Sequence, residues 1–111
     1  MNAKEYLNQI MLLDVKINQR IEEKESLPNG YTDLQKRISE VIDQLVNQKD
    51  DIIGKILLLH NPLQLEVIFL RYVRYYKYES IAEILQYSMR GIYKIHDAAL
   101  LELATIIGIC E

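Results

Sequence analysis

Apolar residues recur at helical spacing along almost the whole chain. Between Ala3 and Ser26, the residues Tyr6, Ile10, Leu13, Ile17 and Ile21 follow at intervals of four, three, four and four, and Leu7, Met11 and Val15 add an adjacent stripe. Such spacing gathers each set on one face of an α-helix. Asn2 followed by Glu5 supplies a capping pattern at its start, with Asn in place of Ser or Thr. Leu27-Pro28-Asn29-Gly30 then breaks the pattern, joining a fixed φ to two residues that tolerate a positive one.

A second long helix is predicted from Thr32, with Gln35 completing a capping box, to about Leu59. Leu34, Ile38, Val41, Leu45, Ile52, Ile56 and Leu59 form a near-heptad in which only Gln48 is polar, and Ile42, Val46, Ile53 and Leu57 run beside it. Two helices of matched length joined by a short turn predict an antiparallel hairpin ~40 Å long, at ~1.5 Å per residue. Each carries more apolar surface than one partner covers. That excess asks for a third helix or a second chain, and the second chain makes a homodimer the expectation.

Asn61-Pro62 opens the next helix, with Asn as cap, Pro at the first helical position, and Leu63, Val67, Leu70 and Val73 as its apolar face. Arg74 to Lys77 turns a corner. From Tyr78 to His96 the sequence YESIAEILQYSMRGIYKIH reads as two short helices around Tyr87-Ser88, with Ile81, Ala82 and Leu85 on the first and Ile92 and Ile95 on the second. Ala82 lets the helices cross closely, and Ser88 can cap the second. The last helix continues from about Met89 through Leu100, Leu103 and Ile107 to a stop near Gly108. This is the layout of a helix-turn-helix, in which one helix can enter the DNA major groove while the other braces it. The same spacing also fits a helical hairpin inside an ordinary bundle. The fold expected is all-α, with a helical hairpin over residues 1–60 followed by a three-helix domain over residues 61–111.

Composition agrees. Half of the 111 residues are hydrophobic and 26% are charged, while two prolines and four glycines are too few for a loop-rich or all-β chain. A net charge of −3 argues against nucleic-acid binding by bulk electrostatics. Its distribution changes that picture. Residues 1–61 hold eight Lys/Arg against ten Asp/Glu, whereas residues 71–96 hold Arg71, Arg74, Lys77, Arg90 and Lys94 against Glu79 and Glu83. The lone cysteine, Cys110, allows no internal disulfide and suits a reducing cytosol. The first residues are polar, unlike a secretory signal, and apolar runs such as Ile56 to Leu59 are far too short to cross a bilayer.

Residues 62–103 resemble the C-terminal DNA-binding region of bacterial sigma factors, the part that reads the promoter −35 element. The resemblance lies in Leu70-Arg71-Tyr72, in the Tyr-Glu-x-Ile-Ala-Glu-x-Leu run from Tyr78 to Leu85, in Tyr87-Ser88, and in Arg90, Ile92, Tyr93, Lys94, Ile95, His96, Ala99 and Leu100. With the opening stretch from Ala3 to Glu23, the whole layout resembles small phage and prophage proteins of Gram-positive bacteria. Some of these are regarded as late-gene transcription regulators of the ArpU and RinA kind. The resemblance implies a bacterial cytoplasmic regulator that binds duplex DNA, with RNA polymerase or another host protein as its second partner. Three positions depart from the pattern: Gln86 stands where such turns carry Gly, Lys77 where Ser or Thr caps the first helix, and Gly91 replaces a polar residue.

With Ile92, Ile95, Ala99 and Leu103 facing inward, Met89, Arg90, Tyr93, Lys94 and Asp97 face outward. Arg90 has the fork to pair with guanine. Lys94, Lys77 and Arg74 suit phosphates, and Ser88 can bond one through its hydroxyl or the helix start. A solvated helix face is the plainer reading of the same charges. Tyr72 and Tyr76 are expected to brace the motif with buried rings and wet hydroxyls, leaving Tyr93 for a DNA or partner contact. No catalytic constellation, cofactor loop or metal-ligand spacing is evident; His60 and His96 lack partners for it, and His96 is expected to pack a helix or lie near a phosphate. Two further readings compete with a regulator. One is an interaction module, such as a phage inhibitor of a host complex, and the other is a small packaging-terminase subunit, where the motif normally comes first.

Overall fold

The computed structural model describes residues 1–109, and Cys110 lies outside them. The order is α1 (Ala3–Glu25), α2 (Thr32–Ile56), α3 (Pro62–Ile68), which runs on into a π-helical turn over Phe69–Val73, α4 (Tyr78–Leu85) and α5 (Met89–Ile107). Among the described residues there is no strand. None of the helices among them is long and apolar enough to cross a membrane.

Local chemistry sets most of the boundaries. The Asn2 side chain accepts from the Glu5 N–H at 2.8 Å, and the Asn61 side chain accepts from the N–H groups of Leu63 and Gln64 at 2.9 and 3.2 Å. Each satisfies donors that the first helical turn leaves unpaired. Gly108 ends α5 with φ of 75°, a left-handed conformation that glycine takes at no steric cost. The capping box expected at Thr32 does not form: Thr32 is already helical, and Tyr31 occupies the cap position without a side-chain bond. The second helix also stops at Ile56 rather than Leu59, with Leu57 and Leu58 in a turn that still leaves Leu59 buried.

α1 and α2 lie side by side, the start of α1 against the end of α2. Leu7, Ile10 and Leu13 there meet Ile52, Ile56 and Leu59, and the same core takes in Ile68, Tyr72, Ala99 and Leu103 from the later helices. Val67, Leu70, Ile81, Ala82 and Ile92 form a second core, private to the later helices. Leu70 and Tyr72 therefore serve different cores from neighbouring positions. Both lie within the π turn, whose last bond runs from the Arg74 N–H back to the Phe69 carbonyl at 3.1 Å.

The adjacent stripes stay largely uncovered within one chain, as the excess of apolar surface implied. Met11, Val15, Val46 and Leu57 are exposed, because the third layer formed by α3, the π turn and α5 covers only the face bearing Leu7, Ile10, Ile52 and Ile56. A ladder of polar groups ties α1 and α2 to the corner that follows α3. Lys49 pairs with Asp14 at 2.7 Å, and Asp14 accepts from the Tyr75 hydroxyl. Tyr75 reaches it from a left-handed backbone, with φ of 61°.

Candidate nucleic-acid interface

The exposed start of α5 is held from three sides. Ser88 caps it by accepting from the Gly91 N–H at 3.0 Å, so its hydroxyl is engaged with the helix itself. Ile81 and Ala82 of α4 pack with Ile92 in the second core, fixing the crossing of the two helices. The turn between them runs through Gln86, with φ of 59° and ψ of 45°, the left-handed geometry that glycine usually supplies. Lys77 sits at the cap of α4 with no side-chain bond to that helix, as its missing acceptor requires.

Gly91 has a packing role as well as a missing side chain. A Cβ there would stand 3.3 Å from the Ser88 Oγ and 3.4 Å from the Tyr87 Cδ1. The bare backbone thus leaves room for the Tyr87 ring over the first turn of α5. Tyr87 itself remains exposed.

Of the residues expected to meet DNA, Arg74, Lys77, Ser88, Arg90, Tyr93 and Lys94 are exposed, and Met89 is half-buried against the second core. Arg90 and Lys94 share one face of α5 at i, i+4 spacing. The Tyr78 and Tyr93 rings meet with centroids 5.0 Å apart, which brings the start of α4, and Lys77 with it, beside the second turn of α5. Arg74, Lys77, Arg90 and Lys94 have no ion-pair partner among the described residues.

Arg71 does not belong to this set. Its guanidinium donates to the Tyr76 carbonyl at 3.0 Å and lies 4.4 Å from the centre of the Tyr78 ring, so it braces the corner instead of adding to the surface charge. Tyr72 also departs from expectation. Its ring is buried, but its hydroxyl meets the His96 Nε2 at 2.7 Å rather than water. Sequence spacing could place Arg71 and Tyr72 near the motif but carried no signal of these two partners.

His96 is the buried polar centre beneath the exposed face. Its ring stacks on Tyr72 and meets Tyr78 edge-on, with centroids 5.7 and 5.6 Å apart. Burial lowers its pKa from the ordinary value, outweighing the opposite pull of Asp97, whose carboxylate lies 3.3 Å from Nδ1. The neutral ring therefore keeps its proton on Nδ1, facing Asp97, and Nε2 accepts from the Tyr72 hydroxyl. Burial also raises the Tyr72 pKa, with Tyr78 adding to the rise, so that hydroxyl keeps its proton to donate. This cluster orients α5 through packing and hydrogen bonds. Among the described residues, no group of three or more His, Cys, Asp or Glu side chains is placed to hold a metal ion.

Comparison of the chain with protein-family models, with curated proteins and with solved structures finds no match.

Proposed function

We propose that the chain is a phage-type transcription regulator that binds duplex DNA through α4 and α5, used as a sigma-like helix-turn-helix. The observation that carries this reading is that Lys77, Arg90 and Lys94, beside the exposed start of α5, and Arg74, at the corner before α4, have no ion-pair partner among the described residues, in a chain of net charge −3. Cations left unpaired are available to phosphates, and counterion release then supplies affinity that the overall charge does not. In this reading α5 enters the major groove, Arg90 reads a base, and Lys94, Lys77 and Arg74 fix the register on the backbone. Tyr93 and Met89 line the contact, and the Ser88 cap offers its phosphate the helix start. The hairpin of α1 and α2 serves assembly or docks on RNA polymerase, in the cytoplasm of a bacterial host.

The test is retention of random genomic duplexes by the full chain over a range of salt concentrations, followed by sequencing. Enrichment of one motif, with affinity falling steeply as salt rises, is the expected result. Absence of specific retention even at low salt would remove DNA from the reading.

A second reading has its own support. Ile84, Tyr87 and Tyr93 are exposed around the same helices, and apolar side chains in that position suit a protein partner. The fold would then be an interaction module, such as an inhibitor of a host complex. Stable co-purification with one host protein, without DNA retention, is the outcome that favours it.

A further inference from the structure

No residue from Asp14 to Asp51 is buried, although the apolar stripes of α1 and α2 continue through that stretch. Leu34, Val41 and Val46 are 43%, 39% and 36% exposed, and Ile17, Ile38, Ile42 and Leu45 are only partly covered. The same stripes become fully buried nearer the other helices, at Leu7, Ile10 and Ile56, where α3, the π turn and α5 supply a third layer. The stripe does not end; its cover does. The molecule is accordingly drawn out, with principal extents of 55, 31 and 20 Å. Helices in proteins owe most of their stability to packing of an apolar face, and a bare helix pair supplies little.

We propose that this two-helix arm is the interface between two copies of the chain, stacked face to face as a four-helix bundle. Helices α3 to α5 are already committed to the two cores at the base, so they cannot also cover the arm. The arm is a ribbon whose two helices carry matching apolar stripes, and a twofold axis brings each stripe onto its own kind. Size supports a second copy. A ribbon two helices wide, roughly 20 Å, and roughly 25 Å long offers roughly 500 Å² per copy. Two copies then bury roughly 1,000 Å² in total, the lower bound for a specific interface. The charges around the stripe are of both signs, with Lys36 and Arg37 near Glu40 and Asp43, so like copies meet without a single-sign clash. The inference rests on packing alone and stands or falls separately from DNA binding.

Sedimentation equilibrium of the full chain at low and high micromolar concentration, with amide hydrogen exchange on the same samples, tests it. The expected result is a mass rising to twice 13.1 kDa, with protection over residues 15–50 rising alongside and protection of the base helices unchanged. The double variant Ile42→Glu, Val46→Glu is expected to shift the mass towards the monomer, and Leu101→Glu, on an exposed part of α5, to leave it unchanged. Should the double variant unfold, the wild-type measurements still decide. A wild type that stays at 13.1 kDa at high micromolar concentration overturns the proposal, whether its arm is protected by itself or left open for another partner.

Discussion

The hydroxyl of Tyr72 and the Nε2 of His96 meet at 2.7 Å across 24 residues of sequence, joining the π turn to the middle of α5. Both residues are buried, and the bond sits where the core shared with α1 and α2 meets the helix that carries the exposed cations. How α5 is held therefore depends on one polar contact as well as on apolar packing.

Tyr72→Phe removes the donor and leaves the buried Nε2 with only the Tyr78 hydroxyl, 3.4 Å away. Stripping one partner from a buried acceptor typically costs about 1–3 kcal/mol. Urea unfolding should show a lower midpoint at an unchanged slope.

The same histidine makes stability depend on pH in a stated direction. Its folded pKa lies below the ordinary value of 6.5 because burial disfavours the imidazolium. The unfolded chain therefore takes up the proton first as pH falls. The contribution is fully present above about 6.5 and is lost progressively as pH drops from there through the folded pKa. His96→Gln should flatten that segment of the stability profile, as seen by thermal melting across the range.

Gln86 holds a left-handed conformation that costs a non-glycine residue about 1–2 kcal/mol. Gln86→Gly should raise the unfolding midpoint, by less than that full amount because glycine also loosens the unfolded chain. A midpoint that falls would mean that the Gln86 side chain contributes a contact outweighing the strain.

Arg90→Ala and Lys94→Ala should separate reading from anchoring. The first is expected to lose about 1–3 kcal/mol at a single base position. The second should weaken binding to every sequence and reduce the salt slope by about one, for the one phosphate contact removed. Binding isotherms on single-base variants of the retained motif, measured at several salt concentrations, distinguish the two.

Much of this architecture is legible along the chain, for identifiable reasons. Asn2, Asn61 and Ser88 announce helix starts because a short side-chain acceptor followed by a helical run has few other uses. Ile10 and Leu13, with Ile52 and Ile56, announce buried faces by spacing alone. What spacing cannot convey is which part of a stripe receives a third layer: of the adjacent stripe on α1, Leu7 is buried while Met11 and Val15 stand exposed. The cap at Thr32 fails because Tyr31 takes the preceding position. The π turn, and the inward use of Arg71 and Tyr72, depend on neighbours brought together only by the completed fold.

The π turn also bears on how this protein could vary in length. The Arg74 N–H reaches back five residues to Phe69, one more than an α-helix requires. Removing Val73 would convert that span to the α-helical one and keep Leu70 and Tyr72 in register with α3, at the loss of one partly buried side chain packed against the first core. Removing Ala98 from α5 would instead turn Ala99 and Leu103 away from the buried face. Shortened chains that still melt cooperatively should therefore be found at the first position and not at the second. A gene under pressure to shed a single codon would find its more tolerant site at this corner.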